Sequence, residues 1–465
     1  RSPFASLLAL DLFVINTLSS HTHTQVPPRC DGTEAFRTSE AQGRAYLRGT
    51  ENVLPPLLVS PAMETADEER PRMDQETALE LVKKGATLLL LDVPQNTLLG
   101  IDTQMFSVGP MFKGIKMIPP GPHFIYYSPT NRYGNEFSPI IGFFIFMSPS
   151  EVVVLKWHPE EEHLIKLSEE EEGRYCKAVR HLEFDHHLGP YALDHYGEWK
   201  QLSNCITKNT IEKIEPIGGE ITLAYEANLI DTVMKTPAEE KLAEQFRNIN
   251  YSRPLDESCR KGCYYTSIPR VLKDKGIPRG ELTTMNLDKT QLLETILMKD
   301  FGGAEDLLLG ELQFAFIAFL MGQSLQAFYQ WKSLVSLLLN CTEAPFQTRT
   351  QLFSKFIRVI YYQLRQGFHK DNGSRSSGDQ SLSLSLDDSW FSKDTFLHHL
   401  CKDFISLVEQ APVVDGDLLS WTRKLKCLLE TTFGWDFEDS MQDNYENDEF
   451  SPIIVFPNDV NSGEA

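Results

Sequence analysis

Positive charge is scarce in this sequence of 465 residues. It has 44 Lys and Arg against 65 Asp and Glu, which gives a net charge of −21. The segment 427–465 contains ten acidic residues and no Lys or Arg. A chain this acidic gains no affinity for phosphate backbones from counterion release. We therefore expect no direct binding to nucleic acid, and basic protein surfaces are the more natural partners.

The sequence also lacks the common motifs of catalytic and cofactor sites. It has no phosphate loop, no strand–GxGxxG–helix pattern and no nucleophile elbow. Cys259 and Cys263 are four residues apart, but no second cysteine pair or flanking His completes a zinc set. The eight cysteines are scattered, which indicates free thiols in a reducing compartment. We therefore predict a protein without a cofactor or metal and without enzymatic activity.

One cluster of side chains leaves an enzymatic alternative open. His181 and Asp185 are four residues apart on a predicted helix, so they could share a metal with His187 in a metal-dependent hydrolase. The cluster lacks the H-E-x-x-H order and a further ligand nearby. Solvated histidines at a helix end are the more common interpretation of such a pattern.

The stretch 306–340 is strongly apolar, but it does not have the pattern of a membrane span. Glu311 and Gln313 interrupt it, and Gly322 ends the first helix too soon. Apolar residues surround that helix on nearly all sides, which is typical of a buried helix. A second helix begins after Ser324, and the short connection predicts an antiparallel hairpin. The predicted core residues of this hairpin are Leu312, Phe316, Phe319, Phe328 and Trp331.

Residues 74–215 have the pattern of a β-sandwich-like domain with two peripheral helices. Short apolar runs are separated by turn residues, with almost no helix between them. The predicted strands are 87–93, 97–101, 112–118, 123–127, 140–147 and 152–157. The last two runs flank the sequence SPSE, which predicts a four-residue hairpin turn. The two helices are predicted at 169–187, with Ser168 as its N-cap and Leu182 facing inward, and at 193–205.

The remaining chain divides by composition. Residues 1–72 are predicted to be a disordered or leader extension. Residues 216–286 are a linker rich in Lys and Arg, predicted to strap across an acidic domain rather than to stack on RNA. Residues 287–435 are predicted to be an all-α domain with a disordered, Ser-rich insertion at 367–387. Residues 436–465 form an acidic tail with one short strand.

Four motifs in register resemble the A-one-alpha-two-repression (Aar-type) splicing factor family. They are GIKMIPPGPHFIYY at 114–127, LGPY at 188–191, LDKTQLL at 287–293, and the apolar hairpin. The resemblance extends from residue 74 to the end of the chain and is nearest to the plant branch of the family. It implies an α+β multidomain fold, with a β-sandwich domain followed by a VHS-like helical domain.

The resemblance also implies a function. Members of this family are non-catalytic assembly factors of the U5 small nuclear ribonucleoprotein (snRNP), which bind its large scaffold protein during biogenesis of the spliceosome. We therefore expect a monomer that works in pre-mRNA splicing, without membrane contact, in the cytoplasm and nucleus. A VHS-like trafficking adaptor is an alternative that rests on fold alone, and fold does not fix function.

Two sites in the acidic tail are candidates for partner binding and regulation. Ile453, Ile454, Val455 and Phe456 lie between two prolines and predict a short β-strand that requires a partner. We expect it to add to a sheet of the U5 scaffold protein, although an edge of this chain's own β-domain and its own helical domain are also within reach. Ser440 lies in the acidic sequence EDSMQD, which is similar to a casein-kinase-type phosphorylation site. An unmodified, solvated serine is the alternative.

Overall fold

The structure is a computed structural model that describes most of the chain between residues 80 and 437. The described residues are 80–81, 83–129, 137–226, 262–269, 279–367 and 396–437. The predictions for residues 1–72, for 368–387, and for Ser440 and the strand 453–456 lie outside these residues.

Ten strands form two five-stranded sheets. The strands are β1 (Ala86–Leu91), β2 (Leu98–Ile101), β3 (Gln104–Ser107), β4 (Gly114–Ile118), β5 (Gly121–Ser128), β6 (Ile141–Met147), β7 (Val152–His158), β8 (His163–Lys166), β9 (Leu188–Pro190) and β10 (Ile221–Thr222). The order is β8-β7-β1-β4-β9 in the first sheet and β10-β6-β5-β2-β3 in the second. The six predicted strands are present. The four others have two to four residues each, too few to give a periodic pattern.

Strand β1 lies at the centre of the first sheet. It pairs with β4 in antiparallel and with β7 in parallel orientation. Leu88 and Leu90 belong to an apolar cluster shared with the second sheet, whereas Leu89 packs with Val179 of a helix on the other side. Because both faces of β1 are covered, its sequence is apolar throughout and does not alternate.

The predicted hairpin of β6 and β7 is wrong, because the two strands belong to different sheets. β6 pairs with β5 and β10, whereas β7 pairs with β1 and β8. The SPSE connection instead crosses between the sheets. Its position is fixed by the start of β1: Ser150 N–H donates to the carbonyl of Lys84, and Thr87 N–H donates to the carbonyl of Glu151, each at 2.8 Å. The edge of β1 that does not pair with β4 therefore pairs with β7.

Besides helical residues at 80–81 and 83–84, the described chain contains ten α-helices. They are α1 (Glu169–Arg180), α2 (Tyr196–Ser203), α3 (Lys208–Ile214), α4 (Arg279–Leu287), α5 (Thr290–Asp300), α6 (Glu305–Leu320), α7 (Leu325–Leu339), α8 (Thr350–Gly367), α9 (Phe396–Gln410) and α10 (Gly416–Phe433). Ser168 caps α1 as predicted, accepting a hydrogen bond from Glu171 N–H. However, α1 ends seven residues earlier than predicted. The inward orientation predicted for Leu182 is wrong: its φ is +63° where the chain leaves the helix, and 68% of its surface is exposed.

The hairpin of α6 and α7 is the centre of the largest apolar cluster. None of the five predicted core residues of this hairpin is more than 5% exposed. The second sheet packs directly on α6, where the rings of Phe144 and Phe314 stack with centroids 4.1 Å apart. The same cluster includes α2, α3, α5 and α7–α10. The second sheet of the β-region (residues 86–222) and the helical region (residues 279–433) therefore share this cluster, whereas the space between the two sheets holds a separate cluster.

The close approach of α6 to the β-region requires glycine at position 310. A Cβ there would lie 2.5 Å from the carbonyl oxygen of Cys205 and 3.1 Å from Oγ1 of Thr210. In the part of the chain that the structure describes, no helix is long and apolar enough to cross a membrane. The prediction of a β-rich region followed by a helical region is confirmed. The sandwich and VHS-like assignments stay predictions.

Candidate functional site

Residues of two sequence motifs meet in a buried polar cluster of the β-region. Asp102, in the turn between β2 and β3, accepts hydrogen bonds at Oδ2 from His123 Nδ1 and Tyr191 OH, both at 2.7 Å. Its Oδ1 accepts from the backbone N–H of Phe124 at 3.0 Å. His123 begins the apolar part of β5, and Tyr191 ends the LGPY motif. None of the three side chains of this cluster is more than 3% exposed.

The surroundings of His123 favour its protonated form. Its Nε2 lies 2.6 Å from the carbonyl oxygen of Pro119 and its Nδ1 lies 2.7 Å from Oδ2 of Asp102, so both ring nitrogens face oxygen atoms of the protein. Burial by itself lowers the pKa of His123, but the charge and hydrogen bond of Asp102, together with the Pro119 carbonyl, raise it above its usual value. The cluster therefore favours the protonated His123 in contact with the carboxyl group of Asp102.

This cluster has the residue types of an acid–base site but not the access of one. His123 is enclosed between Tyr191, whose ring meets it edge-on, and Trp199, which stacks parallel to it at 6.3 Å. Both of its nitrogens are occupied by protein acceptors, so no position remains for a substrate proton. The cluster instead joins the β2–β3 turn, the start of β5 and the LGPY segment in one arrangement.

A second buried carboxylate, Glu311, anchors the segment 262–269 to the hairpin. Oε1 of Glu311 accepts from Thr266 N–H at 2.7 Å and from Gln330 Nε2 at 2.8 Å, and Oε2 accepts from Thr266 Oγ1 at 2.8 Å. Nζ of Lys213 lies 3.6 Å from Oε2 and 4.0 Å from the centroid of the Phe301 ring. Glu311 therefore has four contacts from three residues, and two of these contacts hold Thr266.

A third buried carboxylate, Glu226, caps α7. Oε2 accepts from the backbone N–H groups of Leu325 and Gln326 at 2.6 and 3.0 Å, and Oε1 bonds Ser324 Oγ at 2.5 Å. Burial raises the pKa of Glu226 to about 7, although its hydrogen bonds act in the opposite direction. Glu226, which follows β10, thus satisfies backbone donors at the start of α7.

Two glutamines complete these contacts between segments. Gln313, fully buried in α6, accepts from Cys205 N–H at 2.7 Å and donates to Asn204 Oδ1 at 2.7 Å. Gln326 accepts from Cys263 N–H at 3.1 Å. The six described cysteines are all free thiols. Glu311, Gln313 and Gln326 of the hairpin therefore each hold another segment of the chain.

The alternative hydrolase site is not assembled. Asp185 forms an ion pair with Lys116 at 2.6 Å, and Nδ1 of His187 contacts the carbonyl of Met111 at 3.0 Å. His181 is exposed, and its nearest acidic partner is Glu183 at 4.0 Å. Within the described residues, no group of three or more His, Cys, Asp or Glu is placed to hold a metal ion.

Sequence analysis missed the buried carboxylates as structural anchors. Glu311 and Gln313 stand out in the sequence only because they interrupt an apolar helix. A charged residue on the interior side of such a helix is costly unless it is paired, so it is itself a signal of a specific contact. Asp102 and Glu226 give no such signal, because their neighbours in sequence are turn and linker residues. Of the predicted partner sites, Ser440 and the strand 453–456 lie outside the described residues.

Comparison with known proteins places both regions in one family. The family model described as the AAR2 N-terminal domain matches residues 84–216, and the one described as the AAR2 C-terminal repeat region matches residues 265–438. The plant-branch assignment stays a prediction.

Three relatives show how far the similarity extends. Protein AAR2 homolog of Homo sapiens is 30% identical over 397 residues, which cover 83% of this chain and 97% of the relative. The protein of the same name from Caenorhabditis elegans is 30% identical over 372 residues, covering 77% and 96%. A1 cistron-splicing factor AAR2 of Saccharomyces cerevisiae is 24% identical over 292 residues, covering 60% and 76%. With both regions matched in order and nearly the whole length of its animal relatives covered, the chain belongs to the AAR2 family.

Proposed function

We propose that this protein is a splicing factor, and more specifically a non-catalytic assembly factor of the U5 snRNP that binds its large scaffold protein. Support comes from the family itself and from the printed name of the Saccharomyces cerevisiae relative, a splicing factor. The protein acts as a monomer, in the cytoplasm and the nucleus, and contacts protein rather than RNA.

One structural observation carries the non-catalytic part of this proposal. The buried carboxylates Asp102, Glu226 and Glu311 are fully engaged by donors of the protein itself. An acid–base catalyst needs a free position within hydrogen-bond reach of a substrate. Side chains of this kind hold segments together, which supports the proposal that the protein acts through its surfaces.

The finer fold assignment belongs to the same proposal. Residues of both sheets, including Leu88 of β1 and Ile125 of β5, contribute to one apolar cluster between them. The rings of Tyr127 and Trp157 also meet across the sheets, with centroids 5.8 Å apart. These contacts support a β-sandwich. The helical region is proposed to be of the VHS type.

The contact with the scaffold protein is assigned to the strand of Ile453, Ile454, Val455 and Phe456. This short apolar segment, bounded by two prolines, adds to a sheet edge of the scaffold. Backbone hydrogen bonds supply affinity, and the alternating side chains fix the register. Phosphorylation of Ser440 would add about −1.5 to −2 charges to the tail and change its attachment. A Ser440→Glu variant, compared with Ser440→Ala, tests this by its scaffold affinity; no change in either direction contradicts it.

Affinity purification from cells with mass spectrometry tests the proposed function. We expect U5 proteins, with the large scaffold protein as the most abundant partner. Deletion of residues 451–465 should lower scaffold affinity about tenfold, or about 1.4 kcal/mol, with little change in stability. A chain with the sequence of 451–465 scrambled is the matched control and should lose the same affinity. Recovery of endosomal coat proteins without spliceosomal ones would contradict the proposal.

A further inference from the structure

An exposed face of α8 and α10 combines aromatic rings with cations, in contrast to the acidic character of the chain. Three half-buried rings meet there: Trp421 lies with its ring centroid 5.7 Å from that of Tyr361 and 5.9 Å from that of Tyr362. The guanidinium of Arg358 lies 5.4 Å from the centroid of Trp421, and Nζ of Lys424 lies 4.6 Å from it. We call these five residues the basic face.

The positive charge of the basic face is concentrated and open to solvent. Helix α8 contains Lys355, Arg358 and Arg365 and no acidic residue. Arg358 and Lys424 are both exposed. Both lie over aromatic rings, and within the described residues neither forms an ion pair with a carboxylate, whereas Lys355 pairs with Asp306 at 2.7 Å. Arg358 and Lys424, which have no carboxylate partner among the described residues, are therefore exposed cations packed on the ring of Trp421.

This arrangement favours carboxylates over nucleic-acid bases as ligands. A surface that stacks bases presents open ring faces. Here Arg358 and Lys424 already lie over the Trp421 ring, so the surface presents guanidinium and ammonium N–H donors. Such donors form strong, charge-assisted hydrogen bonds with carboxylates. The net charge of −21 also repels a polyanion at long range. A short acidic segment therefore fits the basic face better than RNA does.

The chain itself contains such a segment. Residues 438–449 (EDSMQDNYENDE) contain six acidic residues and no Lys or Arg. The insertion 368–395 is much less acidic, with five Asp against three Lys and Arg. Residues 438–449 begin directly after Phe437, whose ring stacks against His398 at 6.0 Å. Charge and connectivity both favour this segment as the occupant.

The length of the segment is sufficient to reach the basic face. Trp421 lies 12 residues before the last residue of α10, Phe433, which is about 18 Å along the helix axis. Twelve extended residues span up to about 40 Å. A tethered segment also has an effective concentration on the order of millimolar, which exceeds that of most free acidic partners.

We propose that the acidic segment 438–449 docks on the basic face of α8 and α10 within the same molecule. This goes beyond the proposed function and does not depend on it. Docking holds the tail against the helical region through carboxylate contacts with Arg358 and Lys424. Because these charges are exposed, the attachment weakens as ionic strength rises.

Photo-crosslinking of the full chain tests this docking. Tyr445 is replaced by p-benzoylphenylalanine, and crosslinks are mapped by mass spectrometry at low micromolar concentration. We expect crosslinks within one chain to peptides of α8 and α10, reduced at least fivefold in Arg358→Glu/Lys424→Glu. Arg423→Glu is the control on the same helix, because residue 423 lies about 200° around α10 from Trp421. It should leave the crosslinks unchanged. Crosslinks elsewhere, or crosslinks that the double variant retains, would overturn the proposal.

A second measurement separates docking within one molecule from other occupants. In a variant of the full chain, the six acidic residues at 438–449 are changed to the corresponding amides. A labelled peptide of residues 438–450 should bind this variant at least tenfold more tightly than it binds the unmodified chain. The reason is that the variant's own segment no longer competes with the peptide. Equal affinities, or crosslinked dimers that increase with concentration, would contradict docking in the same molecule. Tighter binding of a labelled oligouridylate than of the peptide would make the face a nucleic-acid surface and also overturn the proposal.

Discussion

The buried polar residues and the basic face use charge in opposite ways. Inside the protein, Asp102, Glu226 and Glu311 are each surrounded by donors from distant parts of the chain. On the basic face, Arg358 and Lys424 rest on aromatic rings and point their charge outward. The first arrangement fixes the fold, whereas the second leaves charge available for a ligand. Within this chain, the family motifs contain Glu311 and two partners of Asp102, His123 and Tyr191.

The largest expected difference between the two regions concerns their tryptophans. Trp331 is 4% exposed and donates from Nε1 to Gln363 Oε1 at 2.9 Å. Trp331→Ala should lower the free energy of unfolding by about 3–5 kcal/mol, because it opens a cavity in the shared core. Trp421→Ala, on the half-buried basic face, should cost about 1 kcal/mol. Urea denaturation measures both. Similar costs for the two variants would show that the hairpin is not the centre of the core.

The ion pair of the β-region provides the next comparison. Asp102→Asn leaves the His123 imidazolium without a counter-charge, which should cost about 3 kcal/mol. The matched control is Asp306→Asn, which breaks the solvent-exposed pair with Lys355 and should cost less than about 1 kcal/mol. Thermal and urea denaturation of both variants test this difference. If Asp102→Asn is as mild as the control, the buried pair is not ionised.

The carboxyl of Glu226 should make stability depend on pH. Its pKa is raised from 4.5 to about 7 in the folded protein. Its stabilising contribution is therefore complete below about pH 4.5 and is lost as pH rises through 7, by about 2 kcal/mol between pH 5.5 and 7.5. Glu226→Gln keeps acceptor and donor positions but does not titrate.

The stability difference between this variant and the unmodified chain isolates Glu226. His123, whose pKa is also raised, contributes a loss of the same sign with rising pH in both proteins. Unfolding free energies measured across this pH range should therefore fall less steeply for the Gln variant. Parallel pH profiles would contradict the assignment.

The smallest predicted effects concern two helical glycines. In α6, Gly310→Ala should destabilise by about 1–2 kcal/mol, because the contact with the Cys205 carbonyl outweighs the gain in helix propensity. In α1, a Cβ added to Gly173 would have no atom within 4 Å, so Gly173→Ala should stabilise by about 0.5–1 kcal/mol. Melting temperatures of the two variants should shift in opposite directions. A stabilising Gly310→Ala would show that α6 does not pack closely on the β-region.

Sequence reasoning predicted elements whose residues make local patterns. The hairpin α6–α7 and the buried strand β1 follow from apolar periodicity and run length. Pairing between distant segments was not accessible in this way, which is why β6 and β7 were assigned to one hairpin. The partners of Asp102 and Glu226 are likewise 21 to 100 residues away in sequence. The basic face was missed because its residues belong to two helices that are separated in sequence.

Native-state hydrogen exchange with mass spectrometry tests most directly whether the β-region and the hairpin form one body. Peptides from β5 (Gly121–Ser128) and from α6 (Glu305–Leu320) should lose protection at the same free energy, since Phe124 of β5 and Phe314 of α6 both pack against Phe144 in one cluster. Phe314→Ala should lower that free energy equally in both peptides. If β5 keeps its protection in this variant while α6 loses it, the two regions are separate folding units and the account is wrong.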